Sequence, residues 1–221
     1  MRAFAIGSVA GVGFVLVALL ASQGTVLLCD GVARNNAVPV PVYMTAGKTL
    51  PLKAYRVASD ALANANNEDG IAAVFRAEAA LRAGAPAQSV MPILKTALTH
   101  APSSARGWLL LSKVELELHS ADAANSLTMS LMLAPYDFWT IGERARLSAI
   151  LWNKLQVDAQ VQALSQTRLL WSEPQLHNQL YQLAYAPGGA ALISLSFKGQ
   201  DATIRDINRW LARAPAEMAR S

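Results

Sequence analysis

The strongest constraint on this chain is a recurrence near its middle. Leu94, Ala97 and Pro102 are answered thirty-three residues later by Leu127, Ser130 and Pro135. In each set a bulky residue, a small residue and a proline close a segment whose apolar residues recur at helical spacing, and the proline stops the helix. A unit of this length holds two helices that cannot bury their apolar sides alone. Stacking on a neighbouring unit completes the core, so the pattern predicts an all-α fold built from an array of helix pairs. Composition points the same way, because Ala and Leu dominate while aromatics make up only 7%, a mix that favours helices over strands.

The N-terminus obeys a different rule. No charged residue occurs from Ala3 to Cys29. As a helix this run would span ~40 Å, more than the ~30 Å hydrocarbon core of a bilayer. The expectation is a single-pass transmembrane helix over residues 1–29, acting as an anchor or uncleaved signal. Two alternatives stay open: a cleaved signal peptide, whose apolar run is usually shorter, and a lipoprotein signal ending at Cys29, where bulky Leu28 stands in place of a small residue. Arg2 before the run and Asp30 and Arg34 after it leave the charge bias nearly flat. The short Arg2-bearing head is expected in the cytoplasm, which puts the soluble part in the periplasm or outside the cell. Gly7 and Gly11, four apart, fit close pairing of membrane helices, although glycine is common in such helices anyway.

Residues 30–49 read as a tether. Val38-Pro39-Val40-Pro41-Val42 alternates proline with a β-branched residue, which favours an extended, semi-rigid conformation. Beyond Pro51 helical periodicity begins. The spacing predicts a first helix ending at Asn64–Asn67, and pairs over about 71–83 with 86–99 and 105–119 with 123–133. Less regular helices follow over about 139–154, 158–171, 173–184, 190–197 and 202–213. Pro92 falls inside one of these, which predicts a kink or a later start. Ser103-Ser104 and Asp137 are candidate helix caps, and the acidic residues at 68–69 suit a helix start.

The middle of the chain resembles the tetratricopeptide repeat, whose ~34-residue helix pairs follow W-x2-L-G-x2-Y, then A-x3-F, a further alanine and a proline. Trp108, Leu111 and Ser112 match the first part, with serine for glycine. Glu115 departs from the tyrosine. Ala123, Leu127, Ser130 and Pro135 match the second part across a turn one residue shorter than usual. Val74, Ala77, Val90, Leu94, Ala97 and Pro102 form a fainter unit before it, and Trp139 opens another that drifts until Pro174. The resemblance covers about residues 70–175. It implies TPR-like helical repeats over 50–175, a short α-solenoid, with a C-terminal helical cap over 176–221. By position in the repeat, the concave groove for a partner would be lined by Phe75, Arg82, Arg106, Leu109, Lys113, Thr140 and Arg144. Such a groove would be basic with apolar spots, suited to an anionic peptide or polysaccharide.

Packing logic assigns the remaining large residues. Trp139, Trp152, Trp171 and Trp210 are expected as wedges between helices, and Met129 and Met132 as gap-fillers. Trp108→Ala is expected to cost ~3–5 kcal/mol by opening a cavity.

Catalytic, cofactor and metal signatures do not stand out. The formal charge of +4 is spread along the chain rather than gathered in a nucleic-acid footprint. A single cysteine excludes an internal disulfide framework and any multi-cysteine zinc site. Glu115 and His119 stand four apart, half of a metal site without its other half. None of the nucleophile-elbow, P-loop or zinc-protease motifs occurs. The expected function is therefore not enzymatic: a membrane-tethered interaction or scaffold module that meets a protein partner at the membrane, with bacterial envelope or polysaccharide assembly and export as the setting. The alternative is an envelope enzyme or carbohydrate-binding protein on a helical scaffold, with a deep pocket around Trp139, Arg144 and Arg146.

Overall fold

A computed structural model describes residues 50–63 and 69–218. The expected anchor, with Gly7 and Gly11, and the tether lie outside the described residues. Among the described residues the chain is all-α, with ten α-helices and no strand. They are α1 (Leu52–Ala63), α2 (Gly70–Arg82), α3 (Ala87–His100), α4 (Ala105–Glu117), α5 (Ala123–Leu133), α6 (Ile141–Leu151), α7 (Val157–Ser172), α8 (His177–Ala184), α9 (Gly189–Ser196) and α10 (Asp201–Met218). No helix among the described residues is long and apolar enough to cross a membrane.

Local chemistry sets the helix ends. Asp69 caps α2 by accepting a hydrogen bond from the Ala72 amide at 3.0 Å, and Ser104 caps α4 through the Gly107 amide at 3.2 Å. Each satisfies one of the amides that a helix start leaves without an intrahelical partner. Helix α3 begins at Ala87 and runs through Pro92. The turns after α2 and α4 use one device. Gly84 (φ 89°) and His119 (φ 56°) adopt the left-handed conformation. The next amide in each case bonds back five residues, Ala85 to the Ala80 carbonyl and Ser120 to the Glu115 carbonyl. That closes a Schellman-type end. Glycine meets this requirement freely, whereas His119 carries its strain in a place where the chain has only a short turn to spend.

The core is strung along the helices in series. Val74, Ala77, Val90, Leu94, Ala97, Leu110, Leu111 and Val114 join α2, α3 and α4. Leu109, on the other side of α4, joins Leu127 and Leu131 of α5, Leu147 and Leu151 of α6, and Ala159 of α7. Ile141, Ala145, Leu170, Leu180, Leu183, Leu192 and Ile207 tie α6 and α7 to the last three helices. This third core extends on both sides of residue 175.

The recurring positions occupy the crossings. Leu94, Ala97, Leu127 and Ser130 have no exposed surface, and Ala123 only 1%. Small side chains there let helices approach closely. Gly70 shows how closely: a Cβ added to it would lie 2.6 Å from the Ala97 carbonyl oxygen. Two hydrogen bonds fix the direction of the α4–α5 pair. Ser112 Oγ donates to the Ala123 carbonyl at 2.7 Å and Ser130 Oγ to the Ala105 carbonyl at 2.7 Å. Numbers rise along one helix as they fall along the other, so the two run antiparallel.

Several expected core residues lie elsewhere. Trp139 is 62% exposed, and Met129 and Met132 are exposed beside it rather than filling gaps. Their place in the packing is taken by the smaller Leu127, Ser130 and Leu131, which face inward from α5. Trp152, Trp171 and Trp210 do pack against the third core, each partly buried. Trp171 stacks on His177 at 5.1 Å between ring centroids, and Trp210 meets the same imidazole at 5.0 Å.

Candidate functional site

The seven residues expected to line a basic groove do not form one. Phe75, Arg82 and Arg106 come together, but around Glu78. That carboxylate is 4% exposed and accepts from Arg82 at 2.9 Å and from Arg106 at 2.5 and 2.8 Å. The Arg106 guanidinium also lies over the Phe75 ring, 5.6 Å from its centroid. Burial alone would raise the Glu78 pKa; the hydrogen bonds and charge of Arg106 and Arg82 outweigh it and hold the carboxyl below its usual range. Lys113 pairs with Glu143 at 2.6 Å, and Arg146 contacts the same carboxylate. The basic side chains are thus occupied by two acids whose partners lie on other helices or a turn away, a relation that no spacing in the sequence announces.

Leu109, Thr140 and Arg144 lie below the surface, at 4%, 4% and 0% exposure, and so cannot line an open groove. Leu109 belongs to the second core, and Thr140 donates its hydroxyl to Asp137 at 2.9 Å. Asp137 also accepts from the Trp139 amide at 3.2 Å, so it stabilises the turn into α6. Arg144 acts as a clamp. Its Nε donates to Ser130 Oγ at 2.9 Å and its Nη1 to the Ala134 carbonyl, while Ser130 holds Ala105. One polar chain therefore links α6, α5 and α4. Burial without a paired carboxylate pulls the Arg144 pKa down to about 10, with the Asp137 charge opposing the shift. The guanidinium sits at the C-terminal end of α5, where exposed carbonyl dipoles favour a cation.

The open cavity lies on the opposite side of α4. Arg106, Leu109 and Lys113 share one face of this helix; Trp108, Leu111 and Glu115 share another, about 200° away because residues two apart differ by that angle. Trp108, Leu111 and Glu115 meet Lys95, Leu98 and Thr99 of α3, together with Asn125, Ser126 and Met129 of α5 and Asp122 just before it, around a groove of about 460 Å³. That volume falls within the range of ligand sites. Leu98, Trp108, Leu111 and Met129 supply apolar walls. Trp108 is half-buried and fixed in place by its indole N–H, which donates to the Pro102 carbonyl at 2.8 Å. The proline that ends the first unit thus also orients the aromatic residue of the second.

Glu115 is the site's least expected member. Its side chain is 3% exposed, and its Oε2 accepts from the Ser126 hydroxyl at 2.6 Å. Burial pushes its pKa up and outweighs the lowering by the Ser126 hydrogen bond; the Asp122 charge adds a smaller rise and the Lys95 charge a smaller opposing effect. The departure from the repeat pattern at this position was the available signal. His119 is exposed beyond the end of α4, so it does not complete a metal pair with Glu115. Among the described residues, no group of three or more His, Cys, Asp or Glu is placed to hold a metal ion.

Large apolar side chains following Met129 in the chain are exposed as well. Met132, Leu133, Tyr136, Phe138 and Trp139 are all between 39% and 71% exposed. Searches of protein-family models, curated proteins and solved structures find no match to this chain.

Proposed function

We propose that this protein is a membrane-tethered interaction module, an α-solenoid of TPR-like pairs held at a bilayer by residues 3–29 and spaced from it by residues 30–49. The observation that carries this reading is the groove between α3, α4 and α5, lined in part by Met129, together with the exposed large apolar side chains from Met132 to Trp139. Large apolar side chains exposed within one short stretch of chain suit contact with a partner. The buried recurrence at Leu94, Ala97, Leu127 and Ser130 supports the repeat assignment, and the uncharged N-terminal run supports the anchor. On this reading the soluble part faces away from the cytoplasm, and its partner is a protein of the cell envelope, in a role such as polysaccharide assembly or export.

A photo-crosslinking residue placed at Met132 in the full chain, expressed in its native membranes, tests the proposal. A discrete adduct at Met132, absent when the same residue replaces exposed Arg205, is the expected result. Equal labelling at both positions, or none at Met132, would overturn it. Alkaline extraction of the same membranes tests the anchor separately: the chain should stay in the pellet.

A further inference from the structure

We infer that the α3–α4–α5 groove receives a basic side chain, lysine or arginine, from the partner; this deepens the interaction reading and rests on it. The groove has a polarity opposite to that of the chain. The protein carries a formal charge of +4, yet the groove is lined by two carboxylates, Glu115 and Asp122, and by one ammonium, Lys95. Lys95 forms no ion pair with either. The two acids are placed differently. Asp122 is exposed, while Glu115 is 97% shielded, and both line the groove.

The Glu115 carboxyl is half used. Ser126 donates to Oε2; among the described residues Oε1 accepts no hydrogen bond. A carboxylate oxygen left without a hydrogen bond in a side chain that lines a groove is matched by a donor that brings its own positive charge. The walls select the rest of the ligand. Leu98, Leu111 and Met129 offer apolar surface to an aliphatic stem, and the Trp108 indole offers a ring face to a cation. Lysine and arginine combine that stem with that head. An anionic side chain would meet two carboxylates against one ammonium, Lys95, and the excess of like charge disfavours it.

The test uses the full chain in phosphatidylcholine nanodiscs and three short peptides identical except for a central Lys, norleucine or Glu. The readout is the indole N–H resonance of Trp108, assigned by its loss in Trp108→Phe. The Lys peptide should shift it and bind about tenfold more tightly than the norleucine peptide, the size expected for one charge-assisted contact. The Glu peptide should not bind. In Glu115→Gln, which keeps an acceptor for Ser126, the preference for Lys should fall to threefold or less, and Asp122→Asn should lower it by a smaller factor. Equal binding of the Lys and norleucine peptides would overturn the inference while leaving the groove as a docking site. A Lys preference that survives in Glu115→Gln would overturn it as well. Binding by none of the three would overturn both the inference and the groove's part in the interaction reading.

Discussion

The two sides of α4 show what happens to similar-looking residues in different surroundings. On one side, Arg106 and Lys113 look like free cations in the sequence, yet Glu78 and Glu143 occupy them. On the other side, Trp108 and Glu115 look like a core wedge and a pattern error, yet they line an open groove. The first side is closed by tertiary ion pairs, whereas the second opens between α3, α4 and α5. Charge alone is thus a poor guide to a binding face. An exposed cation close to a buried acid is already committed, whereas a buried acid with a vacant oxygen is not.

The largest test of this contrast concerns the clamp beside the closed face. Arg144→Ala removes a fully buried side chain and leaves Ser130 and the Ala134 carbonyl without their donor, which should cost ~3–5 kcal/mol in denaturant unfolding at fixed detergent. Arg144→Met, which keeps most of the volume but leaves the same acceptors without a donor, should cost less, about 1–3 kcal/mol. Equal losses for the two would mean that the hydrogen bonds, not the packing, matter most.

Glu78→Ala comes next, at about 2 kcal/mol, because it strands Arg106 against Phe75. The wild type should show the same dependence on acid. The folded-state pKa of Glu78 is depressed, so its stabilisation is present above the ordinary carboxylate value of 4.5 and is lost as pH falls through the lower, folded value. Unfolding curves of wild type and Glu78→Ala should therefore converge on acidification below 4.5.

Trp108→Ala should cost about 2 kcal/mol, less than a fully buried tryptophan would, because one side of the indole already faces the groove. A loss of 4 kcal/mol or more would show that the groove is closed in solution.

Glu115→Gln should have the smallest effect and the opposite sign. The Glu115 pKa is raised, so its protonated form favours the folded state, and that contribution fades as pH rises through the folded value. The Gln variant, neutral throughout, should be more stable than wild type at pH 7 by about 1 kcal/mol or less. The gap should close as pH falls toward 4.5. A variant less stable at every pH would make Glu115 a structural residue.

Much of the fold was legible in the sequence because it depends on local rules. Helical spacing, the Asp69 and Ser104 caps and the stops before Pro102 and Pro135 place α2 through α5 nearly residue by residue. Leu94, Ala97, Leu127 and Ser130 could be read as crossing residues because their spacing matched their sizes. The less regular C-terminal helices were legible as helices but not as parts of a shared core, since Ile141, Leu180 and Ile207 meet across long stretches of chain.

The site was far less legible. Phe75, Arg82 and Arg106 were expected as liners of a groove and instead gather around Glu78, which was missed because it sits in the middle of an ordinary alanine-rich helix. The face of α4 that opens was assigned from a repeat template, and a shift of two residues rotates a helix by more than half a turn. Trp139 shows the same limit, since aromatic character alone does not say whether a neighbour will cover it.

The sequence by itself determined that the described chain is helical, where most of its middle helices begin and end, and which small residues sit at their crossings. Those properties follow from backbone hydrogen bonding, capping and the period of the helix, all of which act within a few residues. Only the tertiary structure decided which charges are spent on each other, that Arg144 is a clamp, and that the cavity opens over Trp108 and Glu115. Those outcomes depend on which helices meet and at what rotation. Burial and partner charge, the two quantities that set a side chain's chemistry, exist only once the helices have packed.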